Sequence, residues 1–270
     1  MRPSVVIRLP AFGIVLVLSL AACAGAAPPS ATPLGTATSR PSDPQSSGAS
    51  PSETPIPGCL PDCLPGQLTV PGDLPAGDYT TKYFFGGQLT VTLPADWTSF
   101  EDSTGEFALK PAGSDGFALL FWLDVYPIVD GVDGGTTPVA GVEPTADGVL
   151  GWTEANPNLQ AERSAASLGG LAAEALDLRP SDAAENVDPD CPAELRPCVG
   201  LFGFPQWDGF FSEGGPFHLR LIAASARWGG QEHVIYAMID AGTEEAWTAF
   251  GSEASAIIDG ARLPLGVESP

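Results

Sequence analysis

The chain has 270 residues with 33 acidic against 11 basic side chains, a formal charge of -22 at neutral pH. Such an excess of acid disfavours nucleic acid and anionic lipid headgroups as partners. Apolar residues make up 44% of the chain, enough for one domain with a real core.

The first eight residues carry Arg2 and Arg8 and no acid, and a short apolar run follows from Leu9 to Leu20. A membrane-spanning helix needs roughly 20 apolar residues, so this run reads instead as the core of a secretory signal. Leu20-Ala21-Ala22-Cys23 closes it. This tetrapeptide resembles the lipobox of bacterial lipoproteins. The resemblance implies cleavage after residue 22 and a lipid on the Cys23 sulfur, palmitate being the expected kind of acyl chain. Each buried methylene contributes about 0.8 kcal/mol, so two or three chains would hold the protein on the membrane. The expected location is the outer face of the cell membrane.

Residues 24–58 are Ala, Pro, Ser, Thr and Gly with almost no large apolar group. They cannot bury enough surface to offset chain entropy, and a disordered tether over 23–58 is expected. In a Pro-rich, extended form it would reach about 100 Å, at roughly 3.1 Å per residue. The folded part, 59–270, is expected to be a single extracytoplasmic domain. Cys59, Cys63, Cys191 and Cys198 remain after Cys23. Four cysteines in an exported domain imply two disulfides with three connectivities. Local pairs, Cys59–Cys63 and Cys191–Cys198, are favoured because each closes a short Pro-containing loop. Neither spacing is the C-x-x-C of a redox enzyme or a zinc knuckle.

Leu89, Val91 and Leu93 alternate with polar residues and predict a half-buried strand ended by Pro94. Phe107–Leu109 predicts a short strand, and the near-continuous apolar run from Phe117 to Tyr126 predicts a central buried one. Residues 130–142 read as a Gly-rich loop. Thr145 or Asp147 can cap a helix reaching about Asn156, although Gly148 and Gly151 weaken it. Leu159–Ala165 and Leu171–Leu178 read as a hairpin across Gly169-Gly170, and 180–216 as a long loop. Phe217–Trp228 and Gln231–Asp240 flank Gly229-Gly230, a two-residue hairpin signal that sets Arg227 against Glu232. In that register Leu219, Leu221 and Ala223 share a face with Val234, Tyr236 and Met238. Thr243 then caps a helix with an apolar stripe of Trp247, Phe250, Ala254, Ile257 and Ile258, and Gly260 suits its end.

Motifs that carry chemistry are sparse. No G-x-S-x-G, S-x-x-K, H-E-x-x-H or Gly-Lys phosphate signature occurs. No catalytic residue, metal ligand set or cofactor is therefore assigned. His218 and His233 are the two histidines. The hairpin register puts His233 opposite Ala226 and separates the pair by roughly 26 Å, at about 3.3 Å per residue, so they should not share a metal. Each is expected at the surface or on a sheet edge. Asp124, Asp130 and Asp133 lie on or near the Gly-rich loop, where oxygen ligands for calcium can gather, but their spacing is not that of an EF-hand. A carboxylate pair of the glycosidase kind is conceivable, though no pair stands out. Most tryptophans read as core. Trp207, Asp208, Phe210 and Phe211 sit in the long loop beside the second cysteine pair, where they offer a binding edge for sugar or protein; core cover is the favoured role.

Leu93-Pro94-Ala95-Asp96-Trp97, the Phe117–Tyr126 strand, and a closing hairpin and helix ending at Arg262-Leu263-Pro264 together resemble the small α+β domains of actinobacterial LpqN-type lipoproteins, which have a PsbP-like fold. They are also similar to extracytoplasmic domains of GC-rich bacteria with a Pro-x-x-Trp strand end and a Trp…Asn-Pro helix end, here Trp152 and Asn156-Pro157. The resemblance covers about residues 66–264 and departs at the Cys191–Cys198 loop. It implies an antiparallel sheet with helices on one face and a non-enzymatic binding role, and it supplies no catalytic residues. The expected fold is α+β, an antiparallel sheet with two main helices packed on it. The expected function is an anchored binding domain for an envelope protein or small ligand. An envelope hydrolase acting on wall or ester substrates, and an accessory sensory ectodomain for cations or wall fragments, are the alternatives.

Overall fold

The structure is a computed structural model that describes residues 72–128, 137–186, 191–205 and 210–263. The signal sequence, Cys23, the tether, Cys59, Cys63, Asp130, Asp133, Trp207 and Asp208 lie outside the described residues.

In chain order the elements are β1 (Gly72–Leu74), β2 (Gly77–Thr80), β3 (Thr90–Leu93), β4 (Trp97–Asp102), β5 (Glu106–Pro111), β6 (Phe117–Leu123), β7 (Tyr126–Pro127), α1 (Ala146–Glu154), β8 (Leu159–Leu168), β9 (Leu171–Pro180), β10 (Cys198–Gly203), β11 (Phe210–Gly214), β12 (His218–Trp228), β13 (Gln231–Ala241) and α2 (Glu244–Asp259). Eight strands form one sheet in the order β1-β4-β5-β6-β13-β12-β9-β8, and every neighbouring pair is antiparallel. The fold is α+β, as the sequence predicts.

The sheet has a core on each face because its central strands are apolar at alternate and at intervening positions. Phe117, Leu119 and Phe121 of β6 face one core with Ile235, Ala237 and Ile239 of β13. Leu120 and Trp122 face the other with Tyr236 and Met238. All seven residues of β6 are buried, which is why that strand reads as a continuous apolar run. Burying each Leu or Phe in such a core contributes about 1.5–3 kcal/mol.

Two faces need two covers, and here the expectation of helices on one face is corrected. Ala254, Ile257 and Ile258 of α2 join the first core, together with Tyr79, Val91 and Leu93 of the separate β2–β3 hairpin. Val149 and Leu150 of α1 join the second, with Val199, Leu201, Phe202 and Phe211. The latter four belong to a three-stranded sheet in the order β11-β10-β7.

That small sheet also corrects the long loop expected over 180–216. Its signal is masked by glycine: Cys198-Val-Gly-Leu-Phe-Gly203 has too little side-chain bulk to read as a strand. The glycine is required by packing, since a Cβ on Gly203 would lie 2.4 Å from the Tyr126 ring. β4 was likewise unannounced, because Ser99 and Glu101 interrupt its alternation.

The hairpins form as read. β8 and β9 pair through Leu168↔Leu171 across Gly169-Gly170, and β12 and β13 through Trp228↔Gln231 across Gly229-Gly230. Arg227 meets Glu232 at 3.1 Å. Thr145, not Asp147, caps α1 by accepting the Gly148 N–H at 3.1 Å. Gly148 fits there because a Cβ would come within 2.4 Å of the Glu143 carbonyl oxygen. Thr243 caps α2 by accepting the Ala246 N–H at 3.1 Å.

Candidate functional site

The β9–β12 register sets Asp177 directly opposite Arg220, so both side chains project from the α2 face of the sheet. Arg220 Nη1 donates to Asp177 Oδ2 at 2.7 Å. His218, two residues earlier on β12, projects from the same face and is only 4% exposed. Its ring stacks on Trp247 of α2, with centroids 3.7 Å apart and planes 25° apart. The surface or edge position expected for His218 is therefore corrected: β12 is an interior strand, and α2 covers its first residue.

His218 sits among opposed charges. Nδ1 lies 3.1 Å from Glu244 Oε2 and 3.2 Å from Arg179 Nη2. One nitrogen cannot both donate to the carboxylate and accept from the guanidinium, so the tautomer decides which bond forms. Nε2 lies 3.8 Å from Asp177 Oδ1 and is buried without a hydrogen-bond partner. Burial and the Arg179 charge lower its pKa, outweighing the upward pull of Glu244 and Asp177. The neutral ring is thus the resting form near neutral pH.

Arg220 also lines an open groove of about 390 Å³ between α2 and the β8 end of the sheet. Ala165, Ala166 and Ile222 line its apolar part, and Arg220, Ser255 and Asp259 its polar part. Ser167 Oγ donates to Asp259 Oδ1 at 2.7 Å, and Ser255 Oγ donates to the Gly251 carbonyl at 2.8 Å. Both hydroxyls are thus engaged as donors. The opposite face has a shallower groove of about 330 Å³ beside α1, lined by Ala172, Ala173 and Ala223 among others. Arg163 stands near its rim, ion-paired to Asp147, Glu154 and Glu174.

The other residues singled out in the sequence are dispersed. His233 is indeed opposite Ala226, remote from His218 along the hairpin. Like His218 it is on an interior strand rather than an edge, and it pairs with Asp124, Nδ1 to Oδ2 at 2.7 Å. Cys191 and Cys198 form a disulfide. Phe211 is buried, its ring centroid 5.3 Å from that of Trp122, and Phe210 is half-buried beside it in β11. Trp97 is buried in the first core and its indole N–H donates to Glu253 of α2. Among the described residues no cluster of three or more metal-ligating side chains occurs.

No family model matches this chain, and no curated protein matches it. Several solved structures resemble it, three of which follow. The structure of LpqN, involved in cell envelope biogenesis of Mycobacterium tuberculosis, is 15% identical over 72% of this chain and 90% of LpqN, with a TM-score of 0.37. The solution structure of cyanobacterial PsbP (CyanoP) from Synechocystis sp. PCC 6803 is 12% identical over 71% of this chain and 94% of that one, with a TM-score of 0.37. A protein from Bacteroides thetaiotaomicron is 12% identical over 72% of this chain, with a TM-score of 0.35, and the match spans only half of that protein's length.

Sequence reading missed three buried acids. Glu106, Glu213 and Asp240 are 6%, 6% and 5% exposed. Burial pushes Glu106 up to about 7. Glu213 of β11 and Asp240 of β13 hydrogen-bond to each other between the small sheet and the large one. Burial raises both, Asp240 to about 7, and the Asp240 charge drives Glu213 further upward. A neighbouring pair of this kind holds a proton at neutral pH. Only the alternation of β13 hinted at it, since Asp240 continues the Val234, Tyr236, Met238 face.

Proposed function

We infer that the chain is an extracytoplasmic lipoprotein, held on the outer face of the cell membrane by lipid on Cys23, whose folded domain binds a ligand without turning it over. The groove beside α2 carries the binding reading. It combines an apolar floor of small side chains with one fixed guanidinium–carboxylate pair, and its two hydroxyls are held by other acceptors. Such a mix of apolar lining and a few oriented polar groups suits a small envelope ligand, a wall fragment for example. The lipobox-like Leu20–Cys23 and the Cys191–Cys198 disulfide support the compartment, since disulfides persist outside the reducing cytoplasm.

Thermal denaturation of the purified oxidised protein against wall peptides, wall glycans, lipids and ions tests the reading. A ligand at 100 times its Kd adds about 2.7 kcal/mol, which raises Tm by several degrees. The expected result is a saturable rise that Ala166→Trp, which puts a ring over the groove from its partly buried rim, abolishes, with the ligand recovered unchanged. Hydrolysis of the ligand, or a rise that survives Ala166→Trp, would overturn it.

A further inference from the structure

The groove beside α2 is lined by one cation and one anion, Arg220 and Asp259, with apolar surface between them. Arg220 Nη1 donates to Asp177 Oδ2 at 2.7 Å, which fixes the plane of the guanidinium. Its Nε and Nη2 donate to no described group, and the side chain is 25% exposed. Those two N–H groups form the side-on edge of the fork, the geometry that takes a carboxylate through two parallel hydrogen bonds.

Asp259 is the last residue of α2. Its Oδ1 accepts the Ser167 hydroxyl, and no basic side chain pairs with it among the described residues. The last turn of α2 holds no basic residue. A helix C-terminus carries partial negative charge, so an acid there works against stability and a cation is the group that suits it. Departures from such local rules collect at functional sites. The sheet sets the distance between the two charges. Arg220 pairs with Asp177, which pairs with Glu162, and Ser167 stands five positions beyond Glu162 on β8. At about 3.3 Å per residue, the rungs of Arg220 and Ser167 are roughly 16 Å apart along the strand direction. With two charged side chains entering that space, an extended peptide of about three to five residues matches it, at about 3.3–3.6 Å per residue. Ala165, Ala166 and Ile222 offer the intervening part no charge.

We propose that the groove takes a short unblocked peptide of small apolar residues, its C-terminal carboxylate on Arg220 and its N-terminal ammonium on Asp259. The proposal rests on the reading of this groove as the binding site and names the class of ligand. Neither charge alone would require a peptide. Paired at this spacing, with an apolar stretch between, they match a chain with free termini and uncharged side chains. Such a chain gains from both ends only when its length fits.

The test is isothermal titration calorimetry of the full oxidised protein with alanine peptides of three to five residues, and with N-acetylated and C-amidated forms of the length that binds best. Saturable binding is expected, weakened at least tenfold by either block and abolished by Ala166→Trp. Asp259→Asn keeps an acceptor for Ser167, and should weaken the free peptide at least tenfold while leaving the N-acetylated form unchanged. Arg220→Lys keeps a cation beside Asp177 but loses the fork, and should shrink the discrimination against the C-amidated form alone. No saturable binding, equal affinity for free and blocked peptides, or discrimination unaltered in both variants would overturn the proposal. A wall glycan or lipid whose binding Ala166→Trp abolishes, with the peptides inert, would also overturn it, yet leave the groove standing as the binding site. Cleavage of the peptides with the same end preferences would instead uphold it and sink the reading of binding without turnover.

Discussion

The Glu213–Asp240 pair gives the fold a pH dependence whose sign follows from its burial. In the unfolded chain these carboxyls ionise near their ordinary values of 4.5 and 3.8. In the fold both are raised, so the folded form holds protons that the unfolded form has already released. Their contribution is complete below pH 4 and declines as pH rises through about 7, where Asp240 titrates. Glu106, also raised to about 7, acts in the same direction. Thermal denaturation between pH 5 and 8 should show Tm falling with pH, and Asp240→Asn should flatten that profile. An Asp240→Asn profile as steep as the parent's would remove the pair as its cause. Legibility at this scale depends on whether a residue's role is local. Thr243 and Arg227 were readable because cap and cross-strand partner lie within five residues in sequence. His218 was not, because its cover, Trp247, arrives from a helix 29 positions on, and neither was Asp240, whose partner sits on a strand hidden by glycines.

At the scale of elements, the strands and helices that stand alone as patterns were legible: β3, β6, both Gly-Gly hairpins and α2. β10 and β11 were not, since they exist by covering Trp122 and Leu120 of the main sheet rather than by their own periodicity. This small sheet depends on the disulfide. Cys198 opens β10, pairs with Gly214 of β11, and donates its own N–H to Asn186 Oδ1 at 2.9 Å. A Cβ on Gly214 would lie 2.5 Å from the Cys198 sulfur, so bond and strand are packed as one unit. Closing a loop with a sequence separation of seven contributes about 2–3 kcal/mol in the chain-entropy account. The double variant Cys191→Ser, Cys198→Ser should lose about that much in urea denaturation. Hydrogen exchange should quicken first in β10 and β11, while β6, β12 and β13 stay protected.

For the whole molecule, attachment is the property to be tested. Cys23→Ser removes the only sulfur at the lipobox-like site, and the variant is expected in the soluble fraction, without acyl label, while the parent stays with membranes. Equal partition of the two would refute the anchor. Its charge of -22 makes the chain repel itself and anionic surfaces alike.

The chain enters the described fold at β1, which forms one edge of the eight-stranded sheet, whereas the α2 groove lies toward β8 at the other. Seven inter-strand spacings of about 4.8 Å separate these edges by about 34 Å. A pull transmitted from the N-terminal side therefore loads β1 first, and β1 meets β4 at only three residue pairs. It should peel away rung by rung under a small force, while the strands lining the groove bear little of the load. The edge strand is thus placed as a mechanical fuse between the N-terminal side and the groove, and single-molecule extension from the N-terminus should show one short, weak yielding step before the rest of the sheet gives way.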